Sequence, residues 1–288
     1  MSNFDKQYIA LCEKILKQGE HVQNRTGTDC LKIFGHTLRF NLAKEFPILT
    51  SKFVPWKSAI LEMLWIYQAQ SNDVRWLQDR GVKIWNEWAA DANGDYVVTG
   101  QTPKHLGSKF AHTIGTAYGY IVNKFALTQK LIETLKTNVN DRRMVLSLWQ
   151  NDYLATATLP SCVWNTQWNV TRGRLNVVVS QRSCDVALGL PFNVTQYSTL
   201  LLLLCQVTGL KPGELLFVIS DAHIYVNQLD GIKEQIAKYR ELGPQPAPTL
   251  WINPDITDFF AFDNSRELRD IRLDNYKYNV KISMPISV

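Results

Sequence analysis

A single cysteine opens the stretch of this 288-residue sequence that is richest in reactive side chains. Cys162 begins an apolar strand pattern that turns back through a Thr-Arg-Gly-Arg sequence. The returning strand ends at Arg182, Ser183 and Asp185, and a Gly-Leu-Pro-Phe-Asn loop then leads to Asn193. A hairpin of this length brings the start of one strand near the end of the other. We therefore expect a thiol beside a guanidinium, a hydroxyl, a carboxylate and a carboxamide.

The local sequence leaves more than one interpretation of Cys162. A lone cysteine in an apolar strand is usually an inert core residue. A neighbouring cation such as Arg182 would lower the thiol pKa and populate the nucleophilic thiolate. A cysteine hydrolase made of Cys162, His223 and Asn193 is a further alternative, but no glycine-rich elbow surrounds the thiol and no oxyanion-hole motif is present. The residues alone therefore indicate a nucleophilic thiol near an anion site.

The anion site would be made of arginines at loops and strand edges, namely Arg25, Arg142, Arg143 and Arg182. If several of them converge with Ser183, they form a phosphate clamp of bidentate donors. The alternative for any single arginine is solvated surface charge.

Three further polar residues each allow a functional and a structural interpretation. Asn193 offers a donor and an acceptor that suit the O4/N3 edge of uracil, or it caps a helix. Glu62 lies in an apolar helical run, so it is either buried and paired or reaches the solvent edge. His223 is a ligand or base, or a hydrogen-bonded structural histidine.

Composition limits the classes of protein to which the chain can belong. The formal charge of +5 suits an anionic ligand, and the sequence lacks the clustered basic stripe of a dedicated DNA binder. Five scattered cysteines without metal-like spacing indicate reduced thiols, no metal and a cytoplasmic protein. The charged N-terminus is unlike a signal peptide, and the leucine run at 200–204 is too short to span a bilayer, so we expect a soluble protein.

The elements that position these residues follow from periodicity and turn signals. Helices are expected over residues 3–19, 56–69, around 127–135, over 194–209 and up to about 242. Strands are expected at 31–34, 38–42, 144–149 and 215–219, besides the central hairpin and short runs in the tail. Trp85 and Trp88 should share one face of a helical turn, and 89–115 reads as a surface insertion. Strands and helices mix without regular alternation, which predicts one α+β domain over residues 1–288.

Taken together, these residues resemble the thymidylate synthase family over nearly the whole chain. The shared blocks are RTGT from Arg25, EMLW from Glu62, IWNEWA from Ile84, Tyr118-Gly119, Asp141-Arg142-Arg143, the Ser-Cys pair at Cys162, QRSCDVALGLPFN up to Asn193 and DAHIY from Asp221. The QRSCD–GLPFN block is long and highly specific, whereas RTGT or Arg-Arg alone would be weak.

The resemblance implies a large twisted mixed sheet flanked by helices, with two subunits joined sheet to sheet in a homodimer. It implies a methyltransferase that converts dUMP to dTMP with 5,10-methylenetetrahydrofolate as one-carbon and hydride donor, through a covalent bond from Cys162 to C6 of uracil. The catalytic residues it implies are Cys162, Glu62, Tyr118, Asn193 and Asp185. For dUMP it implies Arg25, Arg182, Ser183, Asn193, His223 and Tyr225, with Arg142 and Arg143 of the partner subunit. For the folate it implies Lys52, Ile84, Trp85, Trp88, Asp185, Leu188, Gly189, Phe192 and Val288.

Several positions depart from the usual family pattern. They are Asn86, Tyr120 to Val122, Ser161, Val163, Ser220 and Gln228. Some lie around the folate and the ordered water, which makes a dUMP hydroxymethylase, adding water in place of hydride, the alternative function. Asn193 favours uracil over cytosine in either case. A catalytically inactive or RNA-binding relative is a second alternative, which the retained Cys162, Glu62, Asn193 and Asp185 disfavour.

Overall fold

The structure is a computed structural model that describes residues 2–98 and 102–287. Its helices are α1 (Asn3–Gln18), α2 (Trp56–Tyr67), α3 (Arg75–Gln78), α4 (Gly119–Lys124), α5 (Leu127–Thr137), α6 (Gly189–Thr208) and α7 (Leu229–Leu242). Its strands are β1 (Glu20–Val22), β2 (Cys30–Asn41), β3 (Asp95–Tyr96), β4 (Lys104–His105), β5 (Val145–Ser147), β6 (Val163–Thr171), β7 (Arg174–Gln181), β8 (Cys184–Asp185), β9 (Lys211–Tyr225), β10 (Thr249–Ile252) and β11 (Ile271–Asp274).

A mixed sheet organises the molecule. Its strand order is β1-β2-β9-β7-β6-β5, and β8 pairs with β9 beside this path. Strands β2 and β9 run antiparallel from the pair Cys30–Tyr225 to the pair Asn41–Glu214, while β9 runs parallel to β7. The predicted hairpin is β6–β7, with Val163 opposite Gln181. Cys162 and Arg182 thus lie together where the hairpin opens.

Helices α1 and α6 cover one face of this sheet, and α2 packs against α6. Burial alternates along β9, because Leu215, Phe217 and Ile219 face the helices and are buried while the residues between them are partly exposed. The helices therefore pack on one face of the sheet. Helix α6 is apolar on nearly all sides and runs through the middle of the core. It ends at Gly209, whose φ of +72° is a left-handed value that glycine adopts readily.

The structure corrects several predicted boundaries. The strands expected at 31–34 and 38–42 are one strand, β2, which passes through Gly35 at a φ of +70° and keeps one register with β9 on both sides. The strand at 215–219 is part of the longer β9, because pairing with both β2 and β7 extends it. The strand expected at 144–149 is limited to β5. Helix α4 was not predicted.

Helix α6 begins five residues earlier than predicted, so the helix-cap interpretation of Asn193 is wrong. Its first residues are Gly189 and Leu190, and Pro191 follows within the first turn. Proline is tolerated there because the amide hydrogens of the first turn have no helical acceptor. Asn193 therefore projects from the side of the first turns.

The segment 89–115 contains the β3–β4 pair and a short 3-10 turn at Ser108–Phe110. Ala90, Leu106 and Phe110 form a small apolar cluster separate from the main core. Residues 99–101 of this segment lie outside the described residues, and its status as a surface insertion stays a prediction.

The leucine run at 200–204 lies inside α6, and four of its five members are buried in the core. Over the two described ranges, none of the helices has the length and apolar character needed to cross a membrane.

Candidate active site

The hairpin places the thiol of Cys162 beside the guanidinium of Arg182. The backbone N–H of Arg182 donates to the carbonyl of Cys162 at 2.9 Å, and its Nη2 lies 4.0 Å from Sγ. The guanidinium is fixed because Nε donates to the carbonyl of Ser161 at 3.1 Å and Nη2 to that of Pro160 at 2.6 Å. The predicted meeting of thiol and cation is confirmed.

The thiol of Cys162 is subject to opposing influences. Burial raises its pKa, while the positive charges of Arg182 and Arg25 lower it. The hydroxyl of Tyr118 also lowers it, and this hydroxyl accepts the backbone N–H of Cys162 at 2.8 Å. Burial is the largest of these influences, so the pKa of the thiol is raised overall, and the two cations hold it below the value that burial alone would give.

Glu62 is buried and paired, which decides between its two interpretations. It is 9% exposed, and its Oε1 accepts the indole N–H of Trp85 at 2.7 Å. Its Oε2 accepts Nε2 of Gln196, on the neighbouring helix α6, at 2.6 Å. Burial raises the pKa of Glu62 to about 7, although both hydrogen bonds oppose the rise. A carboxyl group that titrates near neutral pH can both accept and donate a proton during a reaction.

Asn193 is held between two glutamines. Its Nδ2 donates to Oε1 of Gln196 at 3.1 Å, and its Oδ1 accepts Nε2 of Gln181 at 3.1 Å. The same Nε2 of Gln181 donates to the carbonyl of Ser183 at 3.0 Å. A continuous line of hydrogen bonds thus joins Glu62 to the hairpin end through Asn193.

An aromatic wall lies beside this line. Trp85 contacts Trp88 and Tyr118, with ring centroids 5.6 and 5.4 Å apart, and the predicted pairing of the two tryptophans is confirmed. The backbone of Tyr118 has a φ of +44°, an unfavourable value for a residue with a side chain. Gly119 follows it so closely against the carbonyl of Ser71 that a Cβ would lie 1.9 Å from that oxygen. Packing of Gly119 against Ser71, in the segment that follows α2, therefore maintains the strained turn that places the Tyr118 hydroxyl beside the backbone N–H of Cys162.

Asp185 organises the loop between the sheet and α6. Its Oδ1 accepts the backbone N–H groups of Ala187 and Leu188 at 2.9 and 3.0 Å. Its Oδ2 accepts Nε2 of Gln228 at 3.0 Å, and this nitrogen also donates to the carbonyl of Pro285 at 3.1 Å. Gln228, where the sequence departs from the family pattern, thus connects Asp185 to the C-terminal segment.

A cleft of about 600 Å³ lies between α6 and the C-terminal segment. Lys52, Leu188 and Phe192 of the predicted folate residues line it, together with residues 281–284. Lys52 is only 4% exposed, and its Nζ donates to the carbonyl of Ala187. Burial lowers the pKa of Lys52 to about 8, against the opposing charge of Asp185. Its ammonium group therefore points inward, away from the mouth of the cleft.

The other predicted folate residues are more dispersed. Gly189 begins α6 next to Leu188, and Ile84 lies partly buried before Trp85, on the side of the aromatic wall. Val288 lies outside the described residues. Among the described residues, no group of three or more His, Cys, Asp or Glu side chains is placed to hold a metal ion.

His223 and Tyr225 stand at the end of β9, next to β8. The Nδ1 of His223 is 2.8 Å from Oδ1 of Asp221, and the rings of His223 and Tyr225 meet edge to face at 5.1 Å. If Nδ1 is the protonated nitrogen, Nε2 remains an acceptor for a hydroxyl. Strand pairing of Asp185 with His223 connects this pair to the hairpin end.

The arginines separate into two groups. Arg25 and Arg182 both act on the Cys162 thiol, whereas Arg142 and Arg143 are exposed at the start of β5. The side chain of Arg143 is 86% exposed and pairs with Asp141 at 2.8 Å. Within this chain, Arg25 and Arg182 lie near the thiol, and Arg142 and Arg143, which the resemblance assigns to the partner's site, do not join them.

Gln181 and Gln196 were not identified from the sequence as site residues. Gln196 lies three residues after Asn193, which puts the two on the same face of a helix, and this spacing was a usable signal. Among the departures from the family pattern, Ser161 and Val163 are both buried beside Cys162, and Asn86 accepts a hydrogen bond from Gln78 at 3.0 Å.

Comparisons with known proteins show what the chain is similar to. The family model described as thymidylate synthase matches residues 6–288. The chain is 46% identical to a thymidylate synthase of Clostridium beijerinckii over 288 residues and 39% identical to one of Bacillus licheniformis over 307 residues, with all of each chain covered. The solved structure of thermostable thymidylate synthase A from Bacillus subtilis matches with a TM-score of 0.86 at 36% identity, covering 99% of both chains.

These matches confirm the predicted α+β fold, the thymidylate synthase function and the methyltransferase class, and they do not favour the hydroxymethylase alternative. The chain belongs to the thymidylate synthase family.

Proposed function

We propose that this protein transfers a one-carbon unit from 5,10-methylenetetrahydrofolate to C5 of dUMP and reduces it, giving dTMP and dihydrofolate, with Cys162 as the nucleophile. The observation that carries the proposal is the position of the Cys162 sulfur, 4.0 Å from Arg182, at the end of the hairpin that also leads to Asn193. A thiolate there can add to C6 of the uracil ring, and the electron pair of the C5–C6 bond then moves toward O4.

Asn193 and Glu62 are the groups proposed to act on the base. The Asn193 carboxamide keeps one N–H and one oxygen lone pair beyond its bonds to Gln196 and Gln181. These suit O4 and N3–H of uracil, and the N–H stabilises the charge that develops on O4. Glu62, with its pKa near 7, and the Tyr118 hydroxyl would move protons at O4 and C5.

Residues around the same strand ends are proposed to bind the phosphate and the sugar of dUMP. Arg25, Arg182 and Ser183 would bind the phosphate, and the two cations that act on Cys162 support this assignment. His223 and Tyr225 would hydrogen-bond the deoxyribose hydroxyl, since Asp221 orients the imidazole. Phosphate binding would also position C6 next to the sulfur.

The cleft between α6 and the C-terminal segment is the proposed folate site. Its volume of about 600 Å³ suits a ligand of the size of a folate, and Leu188 and Phe192 supply apolar walls. When bound, the folate would supply the one-carbon unit and the hydride. Asp185 is held by Gln228 and by the backbone amides of Ala187 and Leu188, the second of which lines the cleft, and it would orient the pterin. Trp85, Trp88, Ile84, Gly189 and Val288 would exclude water from the reacting carbon, while Lys52 would meet the glutamate tail after turning outward.

A homodimer is proposed from the uncovered face of the sheet. Leu216, Val218 and Val178 are apolar and only partly buried on the side away from α1 and α6. Such a face is stabilised when a second sheet packs on it. The exposed Arg142 and Arg143 would then reach the phosphate site of the other subunit. Equilibrium sedimentation tests this proposal, and a monomer at micromolar concentration would contradict it.

A cytoplasmic location is proposed as well, because all five cysteines of the chain are present as free thiols. No membrane or DNA partner is part of the proposal.

Mass spectrometry of the nucleotide formed from dUMP and 5,10-methylenetetrahydrofolate tests the function. We expect a product heavier by one methyl group in place of hydrogen, with dihydrofolate formed in equal amount. A hydroxymethyl product with tetrahydrofolate would support the hydroxymethylase instead. A nucleotide that returns unchanged would contradict both.

A further inference from the structure

Asn193 lies within a line of side chains whose hydrogen bonds all point in one direction. Gln196 donates to Glu62, Asn193 donates to Gln196, and Gln181 donates to Asn193. The three bonds measure 2.6, 3.1 and 3.1 Å. Gln196 is 4% exposed, so water does not readily replace either of its contacts.

The carboxylate at the end of the line sets this direction. Above its pKa of about 7, Glu62 is an ionised carboxylate that only accepts hydrogen bonds, and the Trp85 N–H that meets Oε1 only donates. Gln196 must therefore turn its NH2 group toward Glu62 and its oxygen toward Asn193. Asn193 must in turn present its NH2 group to Gln196, and the NH2 group of Gln181, which also bonds the Ser183 carbonyl, meets Oδ1.

The direction matters because a carboxamide is nearly symmetric in shape. Rotating the Asn193 amide by half a turn exchanges its donor and acceptor with little change in volume. One orientation complements uracil, which has N3–H and the O4 acceptor. The other complements cytosine, which has the N3 acceptor and the N4 amine. In the rotated state, Oδ1 would face the Gln196 oxygen and Nδ2 would face the Gln181 amine, so two favourable contacts would become repulsive.

We propose that Gln196 is a positioning residue that transmits the orientation set by Glu62 to the Asn193 carboxamide and so makes the site select uracil over cytosine. This inference rests on the proposed function, in which Asn193 meets the base edge. Gln181 holds Asn193 from the other side, so removing Gln196 weakens the selection without abolishing it.

The test compares binding of dUMP and dCMP, measured by calorimetry, together with turnover of both. Gln196→Met keeps the length of the side chain and removes both hydrogen bonds. We expect the dUMP-to-dCMP affinity ratio to fall about five- to tenfold, the effect of one hydrogen bond on an equilibrium. Gln196→Ala is measured in parallel, so that a folding defect in one variant leaves the other to decide.

Gln196→Glu is the conservative variant. Its carboxyl group still offers an acceptor to Asn193, so the affinity ratio should stay within about twofold of wild type. Two adjacent carboxyl groups share a proton, and the pH at which turnover changes should therefore move upward. A residue with a purely structural role would show neither the rescue nor the shift.

Gln206→Met is the matched control. Gln206 lies on the same helix about 15 Å further along, and its Nε2 donates to the carbonyls of Asn253 and Ile256 at 2.7 Å each. Its loss should lower stability and leave the affinity ratio unchanged.

The outcomes separate this inference from the proposed function. If the wild-type protein does not convert dUMP, the proposed function fails and this inference fails with it. If wild type converts dUMP while the Met and Ala variants keep its affinity ratio within about twofold, the function stands and the inference is overturned. An equal fall in Gln206→Met would also overturn it.

Discussion

The ionisation of Glu62 should make the stability of this protein depend on pH in a way that one substitution removes. Burial raises the pKa of this carboxyl from 4.5 to about 7. Between these values the folded chain holds a proton that the unfolded chain has released. The free energy of unfolding therefore falls as pH rises through this window, and the contribution of the bound proton is lost above pH 7.

Glu62→Gln tests this reasoning because the amide has nearly the same shape and does not ionise. Each pH unit inside the window changes the free energy of unfolding by about 1.4 kcal/mol. From about pH 5.5 to the pKa is about 1.5 units, which corresponds to about 2 kcal/mol. Relative to wild type, the free energy of unfolding of Glu62→Gln should therefore rise by about 2 kcal/mol as the pH is raised from about 5.5 to about 8.5. A mismatched contact between the new amide and Gln196 adds a cost at every pH, so only the change with pH is diagnostic.

Urea unfolding at a fixed protein concentration, repeated across this pH range, measures the difference. Glu133→Gln, at an exposed position on α5, is the control for the loss of one carboxylate. If wild type and Glu62→Gln gave parallel curves against pH, Glu62 would be ionised throughout, and the assignment of a proton to it in the folded state would be wrong.

Three further substitutions probe the site. Cys162→Ala should lower product formation by at least about a thousandfold, while its affinity for dUMP stays within about threefold of wild type. Substantial remaining turnover, or an equal loss of turnover in the control Cys205→Ala, would contradict nucleophilic catalysis. Asn193→Asp should lower the dUMP-to-dCMP preference about tenfold or more, since a carboxylate cannot donate to O4, and an unchanged kcat/KM ratio would show that Asn193 does not meet the base. Gln228→Leu removes the hydrogen-bond donor to Asp185 and to the Pro285 carbonyl. It should raise the KM for folate about fivefold and change the KM for dUMP little. A parallel rise in both KM values would point to a general folding defect.

The hairpin and the helices of this protein were predictable because their signals are local. The apolar strands on either side of Thr-Arg-Gly-Arg, and the spacing of Phe4, Tyr8 and Leu11, each determine an element without reference to the rest of the chain. The meeting of Cys162 with Arg182 followed from hairpin length alone. The specific block QRSCDVALGLPFN then identified the family.

Features that depend on packing between distant segments were not predictable. The left-handed backbone of Tyr118 exists because Gly119 packs against Ser71, and the length of β9 depends on two neighbouring strands. Whether Glu62 was paired depended on how α2 meets α6. Lys52 also illustrates this limit, since the sequence places a lysine near the folate site but does not show its ammonium turned inward to the Ala187 carbonyl.

The distribution of the five cysteine thiols has a practical consequence for following the molecule in solution. Cys162 is partly exposed, whereas Cys12, Cys30, Cys184 and Cys205 are buried in α1, β2, β8 and α6. A small alkylating reagent should therefore modify one sulfur per folded chain first, and bound dUMP should slow that modification. Each remaining sulfur becomes reactive only when its own element opens, so its rate of labelling reports the free energy of that local opening. One time course of alkylation thus counts intact active sites and maps which layer of the core opens first.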